Sequence, residues 1–162
     1  MTASVILQPH EAFLKAAVIP LRLTCLRRDG WPLVLSLWFL YNDGALYCAT
    51  GSGAHVVRYL REDPRCGFEI ASDRPPYCGV RGRALAEILP VEGNVILRQL
   101  LQRYIHDLDH PLARNLLAYA EDEVALRLVP QSLHIWNFSA RMAGVPGVDG
   151  GKVCPNTMPA GA

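Results

Sequence analysis

The hydrophobic positions of this chain follow two different periods. Short apolar runs bounded by Gly, Pro, Asn and Asp are typical of β-strands, whereas apolar residues three or four positions apart are typical of amphipathic helices. A helix is predicted between Pro9 and Pro20. The pattern further predicts strands over residues 21–27, 31–41, 45–50, 65–71, 77–89, 124–129 and 132–138, and helices over residues 54–62, 95–105 and 112–119.

Two tight turns organise the first three strands. Arg28-Asp29-Gly30 and Asn42-Asp43-Gly44 each place a glycine where a hairpin needs a positive φ. They predict an antiparallel meander. With six to seven antiparallel strands and inserted helices, the fold class is mainly β (α+β), and a closed or nearly closed barrel would remove the exposed sheet edges.

Composition limits the domain organisation and the partners. The chain has 162 residues, 51% of them hydrophobic and 19% charged, which suits one globular domain. We predict that this domain spans residues 1–139 and that residues 140–162, rich in Gly and Pro, form a mobile tail. A net charge of +1 argues against nucleic acid or an anionic membrane as a partner.

The sequence gives no indication of a membrane span or of a signal peptide. No apolar run approaches the roughly 18–20 residues that span a bilayer. The first twenty residues carry Glu11 and Lys15 within a helical pattern and lack the organisation of a signal peptide. We therefore expect no membrane association and a cytoplasmic location.

The cysteines favour packing over chemistry. The chain has five, an odd number, and none at C-x-x-C spacing, so a metal site or a disulfide framework has little support. Cys25, Cys48, Cys66 and Cys78 lie in apolar strands, where a thiol packs as a small hydrophobe. Cys154, in the tail, is the cysteine expected to be exposed and open to oxidation. No metal-ligand spacing or catalytic nucleophile motif is present, so the catalytic residues are unknown.

The order of strands and turns resembles the pyridoxamine 5'-phosphate oxidase-like, FMN-binding split-barrel family. The motifs that carry the resemblance follow one another in order: RDGWP, SLWF, NDG, ATGSG, REDPR and GVRGRA, and then Trp136 within HIWNF. The resemblance covers about residues 10–139. It implies a split antiparallel β-barrel with flanking helices.

The resemblance also implies a site for FMN. It suggests a homodimer with two equivalent interfacial sites, the flavin lying against one strand end and the phosphate held at the next strand end, its loop and the following helix start. The partner subunit would add an aromatic ring, and a loop that leads into a helix offers free N–H groups to a phosphate. The residues placed at the cofactor are Ser36, Leu37, Trp38, Ala49, Thr50, Gly51, Ser52, Ala54, His55, Val56, Tyr77 and Trp136.

The chain departs from the family pattern where phosphate is usually bound. The hydroxyl, arginine and lysine of the typical clamp correspond to Ala54, His55 and Val56, and an arginine of the preceding strand corresponds to Val34. A phosphate needs charge-assisted donors, which Ala and Val lack. The substrate-binding arginine pattern that the family places after its last tryptophan is also missing, since Arg141 is the only arginine after Trp136. A genuine pyridoxamine-phosphate oxidase is therefore not expected.

Several functions stay open on these residues. The leading interpretation is an FMN-dependent oxidoreductase that acts on a small organic substrate, with substitute phosphate donors such as His55 and Arg58. The alternatives are a non-catalytic binding or carrier protein for a flavin, F420 or haem, and a cofactor-free dimer of the same fold.

Overall fold

Seven antiparallel strands form one strongly curled sheet, a half-barrel, in the computed structural model. The structure describes residues 4–145 and 154–155. The sheet order is β2-β1-β5-β6-β7-β4-β3. In chain order the strands are β1 (Leu21–Leu26), β2 (Pro32–Leu37), β3 (Leu40–Asn42), β4 (Ala45–Gly51), β5 (Arg65–Ala71), β6 (Cys78–Leu89) and β7 (Glu123–Asn137).

In the part of the chain that the structure describes, five helices flank the sheet, with three short 3₁₀ turns between elements. Four of the helices agree with the apolar periodicity, and the short helix Ser4–Leu7 was not predicted. None of the helices that the structure describes is both long and apolar enough to cross a membrane. The helices are α1 (Ser4–Leu7), α2 (Glu11–Ala16), α3 (His55–Glu62), α4 (Gly93–Tyr104) and α5 (Pro111–Leu117), and the 3₁₀ turns are Gln8–His10, Pro90–Glu92 and Ala120–Asp122.

Both predicted hairpins are present, but the long strand between them is divided. β1 pairs with β2 and β3 pairs with β4, and Gly30 and Gly44 take φ values of +81° and +73° at the two turns. The single strand predicted over residues 31–41 is wrong, because it breaks at Trp38-Phe39. Since β2 and β3 lie at opposite ends of the sheet order, this two-residue connection brings the two edges together. The break lets Phe39 enter the core, where it is fully buried.

The last two predicted strands are one continuous strand. β7 runs the length of β6, with a register shift opposite Arg83 and Ala84. Arg83 pairs with Ser132 and Ala84 with Pro130, so Gln131 is the extra residue of a β-bulge. A proline without an N–H suggests a strand end in the sequence, and the bulge accommodates it.

The main core fills the concave side of the sheet. Alternate residues of β1, β5, β6 and β7 pack there with one face of α3. On the convex side, α4 and α5 cover β3, β4 and the start of β7. The convex side of β2, β1, β5 and β6 carries none of the described helices. Apolar members of the main core include Leu23, Phe68, Ile70, Val80, Leu126 and, from α3, Val56, Val57 and Leu60.

One disulfide corrects the cysteine prediction. Cys78 at the start of β6 is bonded to Cys154, with the Cα atoms 5.8 Å apart. The expectation that Cys78 stays a reduced core thiol is therefore wrong, although its side chain is buried. Cys25, Cys48 and Cys66 are free and buried as predicted, and burial raises the pKa of Cys66 to about 12. Most of the predicted tail lies outside the described residues.

Candidate functional site

A cavity of about 390 Å³ lies where the ends of β2 and β4 meet helices α4 and α5. We call it the strand-end cavity. It brings together the two segments that the sequence placed at a cofactor, one from each strand end. Its lining consists of Pro20, Ser36, Leu37, Trp38, Ala49, Thr50, Gly51, Leu97, Leu100, Leu116 and Glu123.

Trp38 forms a fixed aromatic wall of the strand-end cavity. Its ring stacks on Tyr104 of α4, with ring centroids 5.0 Å apart and planes 12° apart. The Tyr104 hydroxyl donates to the Ile19 carbonyl at 2.9 Å and accepts from the Phe39 N–H at 3.3 Å. Burial raises the pKa of Tyr104, which keeps this hydroxyl protonated. The strand break thus places an indole ring at the cavity and holds it rigidly.

Gly51 leaves open space beside this wall. A Cβ built on Gly51 would meet no atom within 4 Å, although β4 pairs with β7 at this position. Its partner in the ladder is Glu123. Paired residues point to the same side of a sheet, so the Glu123 side chain lies on the side of β7 that adjoins this space.

Glu123 is the residue that the sequence analysis missed. It is half-buried, and burial together with the neighbouring Asp122 raises the pKa of its carboxyl. Among the described residues that line the cavity, Glu123 is the only ionisable one. In the sequence it belongs to the acidic run Glu121-Asp122-Glu123, which is typical of a solvated loop. Only its position directly before the apolar run of β7 could have identified it.

The predicted phosphate loop is present but lacks the expected donors. The Ser52 N–H donates to the Asp122 carbonyl at 2.7 Å, and the Ala54 N–H donates to the Gly51 carbonyl at 2.9 Å. Val56 is 2% exposed and packs in the main core, away from the cavity. No side chain caps the start of α3.

His55 and Arg58 are the basic groups nearest to this loop in sequence. His55 Nδ1 lies 3.0 Å from Arg58 Nη2, and both residues are exposed. Neither lines the strand-end cavity. They could meet an anion only outside it.

Tyr77 and Trp136 lie apart from the strand-end cavity. Trp136 of β7 pairs with Gly79 of β6, and the Arg81 guanidinium lies 5.5 Å from its ring centroid. Tyr77 is exposed just before β6. A cofactor contact from either residue therefore requires the second subunit that the resemblance implies.

The residues of the strand-end cavity suit one part of FMN and not the other. A mostly apolar pocket with a fixed indole wall suits a flat conjugated ring. The phosphate does not fit, because the lining offers no cation and includes a carboxylate. Within residues 4–145 and 154–155, no group of three or more His, Cys, Asp or Glu residues could hold a metal ion.

A second groove lies on the open convex side of the sheet. It has a volume of about 700 Å³ and combines apolar residues with several arginines. Val34 is 65% exposed at its edge, and Arg81 and Arg83 project from β6 on the same side. We call this surface the open face.

No protein-family model matches the sequence, and no curated protein does. Solved structures do match. An F420 reductase is 23% identical, covers 77% of this chain and 95% of its own, and superposes with a TM-score of 0.66. The heme storage protein HutZ from Vibrio cholerae is 17% identical, with coverages of 80% and 94% and a TM-score of 0.61. An FAD-binding protein from Mesorhizobium loti is 21% identical, with coverages of 76% and 88% and a TM-score of 0.53.

These likenesses confirm the fold that the sequence motifs implied. The chain has the split-barrel fold of pyridoxamine 5'-phosphate oxidase-like proteins. The neighbours bear the names of flavin, F420 and haem proteins. At such identities the likeness concerns the fold alone.

Proposed function

We propose that the protein is a homodimeric split-barrel oxidoreductase that holds the flat ring system of a flavin or of the deazaflavin F420 in the strand-end cavity and acts on a small organic substrate. The observation that carries the proposal is the meeting of two strand ends at one cavity with Trp38 fixed against Tyr104. When bound, such a ring supplies the redox chemistry, and the protein binds and orients it.

The lining favours a flavin-type ring over haem. Haem iron needs an axial ligand such as His, Cys, Met or Tyr. No described residue of the strand-end cavity has such a side chain. A non-catalytic carrier of a flavin-type ring is the second candidate, since the same lining offers only Glu123 as an acid or base.

The visible spectrum of the purified protein tests the proposal. Flavin absorption, or binding of added riboflavin, FMN or F420 at micromolar concentration, would support it. Turnover with both an electron donor and an electron acceptor, faster than that of the free ring compound, would distinguish an oxidoreductase from a carrier. A colourless protein that binds none of these ligands contradicts the proposal, and a Soret band would point to haem instead.

Filling the space at Gly51 should weaken ring binding without affecting the fold. We expect Gly51→Val to weaken riboflavin binding at least tenfold, because the new side chain enters space that the cavity needs. The backbone at Gly51 does not require glycine, so the melting temperature should change little. Fluorescence titration and thermal melting measure the two effects.

Gly53→Val is the matched control for this variant. Gly53 lies two residues away, also with open space at its Cβ, and it does not line the cavity. Riboflavin should bind Gly53→Val as it binds the unmodified protein. Equal binding by all three proteins would show that the ring lies elsewhere.

The homodimer is proposed to form through the open face. Val34, Leu26 and Leu85 are exposed apolar side chains on this side of the sheet, where a second copy would bury them. The same contact would bring Trp136 of one subunit within reach of its partner. Two subunits would then complete each site.

A charge on the open face should separate the subunits. We expect Val34→Lys to convert the dimer to a monomer at micromolar concentration, because a buried ammonium beside the arginines of the open face meets like charge across the interface. Multi-angle light scattering measures the mass. Val91→Lys is the control, since Val91 is 92% exposed and lies outside the open face. A dimer that survives Val34→Lys would exclude this interface.

A further inference from the structure

Glu123 occupies an unusual place for a carboxylate. It is half-buried at the strand-end cavity, among Trp38, Leu97, Leu100 and Leu116. No hydrogen bond or ion pair to its carboxylate is present among the described residues. The carboxylate is therefore open to a ligand in the cavity, and a donor on that ligand would offset the water that partial burial removes. The open space next to Gly51 is where a partner can come from outside the protein.

The charge inside the strand-end cavity is unfavourable for anions, because Glu123 is the only ionisable group among the described residues of its lining. The charges outside the lining are mixed. Asp122 precedes Glu123, and Asn94 donates from Nδ2 to the Glu121 carboxylate at 2.9 Å and accepts at Oδ1 from Arg98 Nε at 2.9 Å. The polar side chains that share the lining with Glu123 are the hydroxyls of Ser36 and Thr50, which carry no charge. A phosphate placed here would face a carboxylate with no cation between them.

We propose that the strand-end cavity selects planar heteroaromatic ligands whose buried part is uncharged or positively charged, that an N–H of the ligand donates to Glu123, and that phosphate is excluded from this cavity. The inference rests on the proposed function, which places a ring here, and adds the charge of the ligand. A three-ring heterocycle with ring or exocyclic N–H groups meets these requirements. The usual phosphate clamp is absent because the cavity does not receive the phosphate.

Three fluorescent three-ring ligands test the charge preference directly. Proflavine is cationic at pH 7 and carries amine donors, riboflavin is uncharged, and FMN adds a phosphate to the riboflavin framework. We expect the dissociation constants to rise in the order proflavine, riboflavin, FMN, with FMN at least tenfold weaker than riboflavin. Titrations followed by ligand fluorescence at low and moderate salt give the three constants.

The Glu123→Gln variant identifies the residue responsible. It keeps an acceptor oxygen and removes the charge, so riboflavin should bind within about threefold of its original affinity. FMN should gain and proflavine should lose about tenfold. Glu121→Gln is the matched control. It also removes one negative charge, but Glu121 lies two residues before Glu123 and does not line the cavity. The control should preserve the order of the three ligands.

The outcomes separate the inference from the proposed function. Failure to bind any of the three ligands overturns the inference, and failure to bind F420 as well overturns the proposed function. Binding without the expected order, or an order that Glu123→Gln leaves unchanged, overturns the inference alone. Tighter binding of FMN than of riboflavin would also overturn the inference alone, and it would indicate His55 and Arg58 as phosphate partners.

Discussion

Replacement of Arg103 by Met is expected to lower the free energy of unfolding by about 3 kcal/mol, because one side chain holds the end of α2 against α4. Its guanidinium donates to the carbonyls of Leu14, Lys15 and Ala17, at 3.0, 2.8 and 2.7 Å. Hydrogen bonds from charged groups contribute about 1.5–3 kcal/mol each, but these three are not independent, since water can replace the more exposed one. A cation at a helix C-terminus also interacts favourably with the negative end of the helix dipole.

The same arginine supports the aromatic wall of the cavity. Its guanidinium carbon lies 5.5 Å from the Phe39 ring centroid, and the next residue, Tyr104, stacks on Trp38. Loss of Arg103 should therefore weaken ring binding as well as stability. The strand break at Trp38-Phe39 depends on contacts made some 65 residues later in the chain.

Urea denaturation followed by circular dichroism measures the loss. Arg98→Met is the control, because Arg98 lies on the same helix and its Nε donates only to Asn94, one turn away. Such exposed pairs contribute a few tenths of a kcal/mol. A variant at Arg103 that is as stable as the one at Arg98 would show that the carbonyls of α2 are satisfied by water.

The parts of the fold that were predictable are those with local signals. The hairpin turns at Gly30 and Gly44 and the helix ending before Pro64 depend on backbone preferences of a few residues. Apolar periodicity similarly located α4 to within two residues of its start. These signals act within one element, so a single sequence is sufficient to interpret them.

The features that were not predictable depend on contacts distant in sequence. Nothing between residues 31 and 41 marks the division of the strand, since it depends on the burial of Phe39 and on the hydrogen bond that the Phe39 N–H donates to the Tyr104 hydroxyl. The bulge at Gln131 depends on the partner strand β6. Glu123 lies at the cavity because β7 pairs with β4 so that Glu123 is opposite Gly51. For the same reason, the predicted site residues do not all lie at one place. Ser36 to Trp38 and Ala49 to Gly51 line the cavity, whereas Val56 packs in the main core.

Breaking the disulfide should have an effect of similar size. We expect Cys154→Ser to lower the free energy of unfolding by about 2–4 kcal/mol in non-reducing buffer, the usual range for a native disulfide. The two cysteines are separated by 76 positions, so the bond closes a long loop and restricts the unfolded chain strongly. Because Cys25, Cys48 and Cys66 are free, denatured wild-type protein should show three reactive thiols of its five cysteines.

A reducing agent provides the decisive comparison. The unmodified protein should lose stability until it matches Cys154→Ser, whereas the variant should not respond, because its remaining thiols are already reduced. Disulfides are rare in reducing compartments, so a protein from the cytoplasm would exist at least partly in the less stable form. Five reactive thiols in the untreated protein, or equal stabilities with and without reductant, would contradict the bond. Since Cys78 lies one residue from Gly79, the partner of Trp136, reduction should also loosen the strand end that the proposed dimer uses.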